Sequence, residues 1–100
     1  MSSHVIGFVL TIGAGDFALA ARLRRGGSPS ANPLALALAK HTSFELSDYR
    51  PALFTVKDLR TGQRYVGPVP ADLAETMARF QRGELVSDNH VFELALSSDD

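Results

Sequence analysis

A chain of 100 residues, 45% hydrophobic and 21% charged, is sized and composed for one small folded domain. A two-domain enzyme and general disorder are excluded. The absence of cysteine rules out a disulfide framework, a thiolate nucleophile and a cysteine-based zinc site, and a net charge of −1 supplies no global field for nucleic acid.

The apolar run Val5–Ile12 is too short to span a bilayer and has no basic flank, so a cytoplasmic protein without membrane association is expected. It is rich in β-branched residues and apolar on both faces of a two-residue repeat, and reads as a central strand inside a sheet. Gly13, Ala14 and Gly15 break the run, and Asp16 is placed to cap a helix that ends in Arg22, Arg24 and Arg25 before Gly26 and Gly27. Those arginines either complement the helix dipole or form a small anion-binding or partner-docking patch. The same turn has the outline of a dinucleotide-binding loop, in which glycines admit a pyrophosphate to a helix N-terminus. Asp16 puts a carboxylate at the phosphate position, no acidic residue ends a second strand at the usual distance, and the chain is short for that fold.

Residues 26–32 are a loop by composition and the best candidate for a mobile segment. Asn32 and Pro33 read as N-cap and first helical position, opening a helix of alternating Leu and Ala through Lys40. Leu34 and Leu38 share one side and Leu36 falls nearly opposite, so this helix is either sandwiched or used as an interface. Residues 42–47 alternate, with Phe44 and Leu46 facing in, and residues 48–51 read as a turn or irregular link. Residues 53–59 and 63–67 flank a glycine-containing turn and form a hairpin on which Lys57 and Arg64 face each other, with Arg60 and Tyr65 nearby. A solvated edge is expected there, because single-strand readers combine several aromatics with a basic groove.

Pro70 starts a third helix that buries Leu73, Met77 and Phe80, supported by a Glu75–Arg79 pair and stopped at Gly83. Phe92, Leu94 and Leu96 give one face of a final strand, and residues 1–3 and 97–100 are expected to fray. The order is β-α-α-β-β-β-α-β: an α+β domain, mainly antiparallel, with about three helices packed against one sheet.

No catalytic constellation stands out. His4, His41 and His90 are scattered without partners at ligand spacing, Asp72 and Glu75 lie in a first helical turn where acids are ordinary, and no serine sits in a nucleophile elbow. No enzymatic activity, cofactor or metal is expected.

Asn32 and Pro33 followed by alternating Leu and Ala, a hairpin carrying Tyr65, Pro70 before a short helix ending in Phe80, Gly83 and Glu84, and a closing strand with Phe92 and Leu94 carry a resemblance. Together they resemble a group of small proteins common in phage and prophage genomes of high-GC bacteria. That group has a Cys-Pro-Ile-Ala-Leu-Ala-Leu-like helix start, a Leu-Pro before its last helix, a Phe-Asp-x-Gly-Glu-like exit and a Phe-x-Phe-x-Leu-like strand. This chain departs at Asn32 for cysteine, at Val69 before Pro70, and in a longer segment over residues 13–27. The group has no assigned activity, so no functional residue carries over.

The resemblance implies an accessory protein of a phage or mobile element; with the small size and the lack of a catalytic constellation, the expectation is a protein that binds a protein target in the host cytoplasm, as an anti-CRISPR-like inhibitor of a defence component would. Arg22, Arg24, Arg25, Leu36, Lys57 and Arg64 are the expected partner-binding residues. Two alternatives stand beside it: a homodimer closed by Leu36 and a sheet edge, and a small-ligand or nucleotide-binding domain using Gly13 to Asp16.

Overall fold

A computed structural model describes residues 5–27 and 32–99. In chain order the elements are β1 (Val5–Ile12), α1 (Ala14–Arg25), α2 (Pro33–His41), β2 (Phe44–Tyr49), β3 (Leu53–Asp58), β4 (Arg64–Pro68), α3 (Ala71–Gln81) and β5 (His90–Ser98). The five strands form one antiparallel sheet in the order β1-β5-β4-β3-β2. This is the α+β architecture and element order read from the sequence.

Strand alternation sorts the side chains. Leu10 and Ile12 of β1, Phe92, Leu94 and Leu96 of β5, and Phe54 and Val56 of β3 point to one face. There they join Phe17 and Ala20 of α1, Leu34, Ala37 and Leu38 of α2, and Leu73, Met77 and Phe80 of α3 in a single core. All three helices therefore cover the same face, and the other face is bare. The sheet is strongly curled: β4 pairs only with the last residues of β5, and the rings of Phe8 and Phe44, on the two edge strands, stack 5.8 Å apart. Helix α2 packs against both β1 and β2.

Gly67 is fixed by this packing, since a Cβ there would run into the Ala95 carbonyl oxygen and press on Phe54 and Leu96. Gly62, with φ of 78°, turns the β3–β4 hairpin, and Gly27 and Gly83 leave α1 and α3 in the left-handed region. Asn32 caps α2 as expected, its Oδ1 accepting from the Leu34 and Ala35 amides at 2.8 and 3.3 Å.

Five expectations are corrected. Strand β1 lies at the sheet's edge, with Val5 and Val9 more than 60% exposed, so its second apolar face is uncovered. Asp16 is not the N-cap: Gly13 is, and Asp16, one turn in, reaches back to accept from the Gly13 amide at 2.9 Å. Residues 48 and 49 continue β2 past a bulge instead of turning, because Asp48 and Tyr49 still pair with Thr55 and Phe54. Ser97 and Ser98 stay in β5, and the Asp99 amide donates to the Arg64 carbonyl, so the chain is held almost to its end. Arg79 approaches Glu84 at 3.6 Å rather than Glu75, because the turn after α3 swings Glu84 beneath it. The expected mobility of the 26–32 loop falls largely on residues 28–31, outside the described residues, as do His4, residues 1–3 and Asp100.

Candidate functional site

Helix α1 is pinned at both ends. At its start the Ala14 amide donates to Asn89 Oδ1 at 2.8 Å, tying it to the loop before β5. At its end Arg24 donates to the carbonyls of Phe80 and Gln81 at 3.2 and 2.9 Å, with its guanidinium 5.6 Å from the centre of the Phe80 ring. Those carbonyls belong to the last turn of α3, where the Phe80 oxygen also accepts from the Gly83 amide, and a cation there adds hydrogen bonds and complements the helix dipole.

Between the two ties, α1 and residues 83–87 enclose an apolar cleft of about 500 Å³. Ala14, Ala18 and Ala21 fall on one face of α1, and their small side chains leave the space open. Phe17 and Phe80 line its base, ring centres 6.2 Å apart, and Val86 is buried beside them. Leu85 stands at the opposite wall with 85% of its surface exposed, the most exposed large apolar side chain among the described residues. Arg25 and Glu84 form the rim. Glu84 is held by Arg82 at 2.6 Å and by Arg79, whereas Arg22 and Arg25 make no ion pair among the described residues. Concave, mainly apolar and bordered by the free guanidinium of Arg25, the cleft suits an apolar group carried next to a carboxylate.

The residues singled out in the sequence scatter over three places. Arg24 and Arg25 border this cleft, with Arg22 exposed on the same helical turn, and Arg24 is a tether rather than a free cation. Leu36 is partly buried and packed on the core, so α2 is sandwiched and Leu36 presents little free surface. Lys57 and Arg64 pair across the hairpin as expected, exposed on the helix-free face, with Glu45 on the other side of Lys57. Sequence reasoning missed the alanine face of α1 and the wall formed by Leu85 and Val86. The one signal was an apolar pair inside the otherwise polar stretch between Gly83 and Asn89.

The glycine turn is occupied by the protein's own groups. Gly13 gives its amide to Asp16 and Ala14 to Asn89, and the buried Asp16 carboxylate, with Lys40 Nζ 4.0 Å away, stands where a phosphate would need positive potential. His90 packs edge-on to Phe17 and stacks on Phe92, and His41 ends α2. Among the described residues no group of three or more His, Asp or Glu side chains is arranged to hold a metal ion, and no helix is long and apolar enough to cross a membrane. Compared with protein-family models, with curated proteins and with solved structures, the chain matches none.

Proposed function

We propose that this chain is a small, non-enzymatic binding protein that captures another protein through the cleft between α1 and residues 83–87. The observation that carries this reading is the cleft itself: apolar walls, an exposed Leu85 at its lip and the unpaired Arg25 on its rim, with Arg22 exposed on the same helical turn. An aliphatic or aromatic anchor seated there contributes about 1.5–3 kcal/mol from burial. A neighbouring carboxylate on the partner meets Arg25 and Arg22 and sets orientation more than affinity. Steric capture needs only a stable fold and such a patch. The sequence resemblance adds the setting, an accessory protein of a phage or mobile element that occupies a host component.

The test is affinity capture from a bacterial lysate with tagged protein. Ala18→Arg fills the cleft from an exposed position on α1, Arg22→Glu with Arg25→Glu reverses the rim, and Lys57→Glu with Arg64→Glu serves as a distant control. One stoichiometric partner kept by the hairpin control and lost by both cleft variants is the expected result. Capture of nothing, or of a partner indifferent to the cleft, rejects the reading.

A further inference from the structure

The two edges of the sheet are built differently. β2 carries Glu45 and Asp48 and a bulge at Ser47, devices that keep an edge from pairing with another chain. β1 has eight residues with no charge, no proline and no bulge. It pairs only with β5, and among the described residues no hydrogen bond reaches its free side. Alternate amide and carbonyl groups are thus presented to whatever lies alongside.

What lies alongside is a notch of about 590 Å³ between the two edges, with Ile6, Phe8 and Val9 on one wall and Phe44, its ring stacked on that of Phe8, also lining it. The opposite wall carries Lys40, His41 and Arg60. Asp16 lies 4.0 Å from Lys40 and Asp58 3.6 Å from Arg60, and both carboxylates are buried. The Lys40 and Arg60 side chains are 63% and 76% exposed, so most of their capacity to meet an anion is free. The notch therefore combines strand-pairing groups, an apolar wall and positive charge.

We propose that β1 accepts an extended, acidic segment of a partner protein as an added strand, its apolar side chains on Ile6 and Phe8 and its carboxylates toward Lys40, His41 and Arg60. Main-chain pairing gives the affinity and the alternating side chains give the selectivity, as in other cases of strand addition. Charge decides against a second copy of this chain as occupant. An antiparallel β1–β1 pair would bring two sets of Lys40 and Arg60 toward one another across the two-fold axis, a like-charge arrangement that opposes closure. This surface is separate from the α1 cleft, so either site stands or falls without the other.

The experiment uses the full chain labelled with nitrogen-15 and titrated with synthetic peptides. One alternates valine and glutamate, one alternates valine and lysine, and a third is the glutamate peptide with alternate backbone nitrogens methylated. The glutamate peptide is expected to saturate, to shift the amides of residues 5–9, 40–43 and 60, and to slow hydrogen exchange along β1. The lysine and N-methylated peptides, and a Lys40→Gln, His41→Gln, Arg60→Gln variant that keeps its native spectrum, are expected to bind about tenfold more weakly or less. Equal binding of the lysine peptide, shifts confined to α1 and residues 83–87, or no binding would overturn the proposal. So would sedimentation showing a dimer whose β1 amides are protected without peptide, since that names a second copy as the occupant.

Discussion

Asp58 is a side chain whose environment changes its chemistry. It sits at the end of β3, buried, with Oδ1 accepting from the Arg60 amide at 2.9 Å and from Ser43 Oγ at 3.0 Å. The Arg60 amide, then the Ser43 hydroxyl and the Arg60 guanidinium, hold its carboxyl below the ordinary carboxylate range against the upward push of burial. It thereby links the β3–β4 turn to the residue that precedes β2. A carboxyl depressed in the folded state stabilises fully above its unfolded pKa, and that contribution disappears as pH falls through the folded one. Asp58→Asn is accordingly expected to melt below the wild type at neutral pH, with the gap shrinking once pH drops beneath the ordinary carboxylate range. Thermal melts between about pH 7 and about pH 2 check this, and a gap constant with pH would mean that the ionised carboxylate is not what the turn uses.

Among the elements, α3 was the most completely written in the sequence. Leu73, Met77 and Phe80 are spaced for one helical face, and all three are buried. Phe80 also touches Phe17 across the cleft base and carries the Arg24 guanidinium on its ring, so it joins α3 to α1. Phe80→Ala is expected to cost about 3–5 kcal/mol, read as a fall in melting temperature. An unchanged melting temperature would show that the two helices do not depend on this contact. Strand β1 shows the opposite case. Its outward positions, Val5, Gly7, Val9 and Thr11, hold no charge, so its pattern is that of a strand buried twice over. Pattern reports the polarity of a face and not whether another layer covers it, and the placement of β1 at an edge was invisible for that reason.

At the scale of the molecule the layering is one-sided: three helices on the inner face and none on the outer. Val5, Val9, Leu53 and Val91 are consequently more than half exposed. Replacing Val5, Val9 and Val91 together by threonine preserves β-branching and is expected to change stability by no more than about 0.5 kcal/mol per site. Chemical denaturation measures it, and a larger loss would show that this face is covered in solution. The near-neutral total charge conceals an uneven distribution. Arg25 at one end of α1, with Arg22 on the same turn, and Lys40 and Arg60 beside β1 give two separate cationic borders to two apolar surfaces.

Element types, most boundaries and the inner stripes were legible in the sequence, because periodicity, the Asn32 cap, Pro33 and the terminating glycines act over a few residues. The arginine cluster was legible as charge and not as geometry: that Arg24 is spent on the carbonyls of Phe80 and Gln81 while Arg25 is free depends on helices brought together across more than fifty positions. The cleft was barely legible, since one wall is an alanine face that looks like ordinary helix and the other is marked only by the pair Leu85 and Val86 in an otherwise polar loop. What the sequence alone determined is the local structure and the apolar material of one core, both governed by short-range spacing. Which strand became an edge, which face stayed bare and where two surfaces opened were decided by long-range pairing, because only the folded chain sets which elements meet.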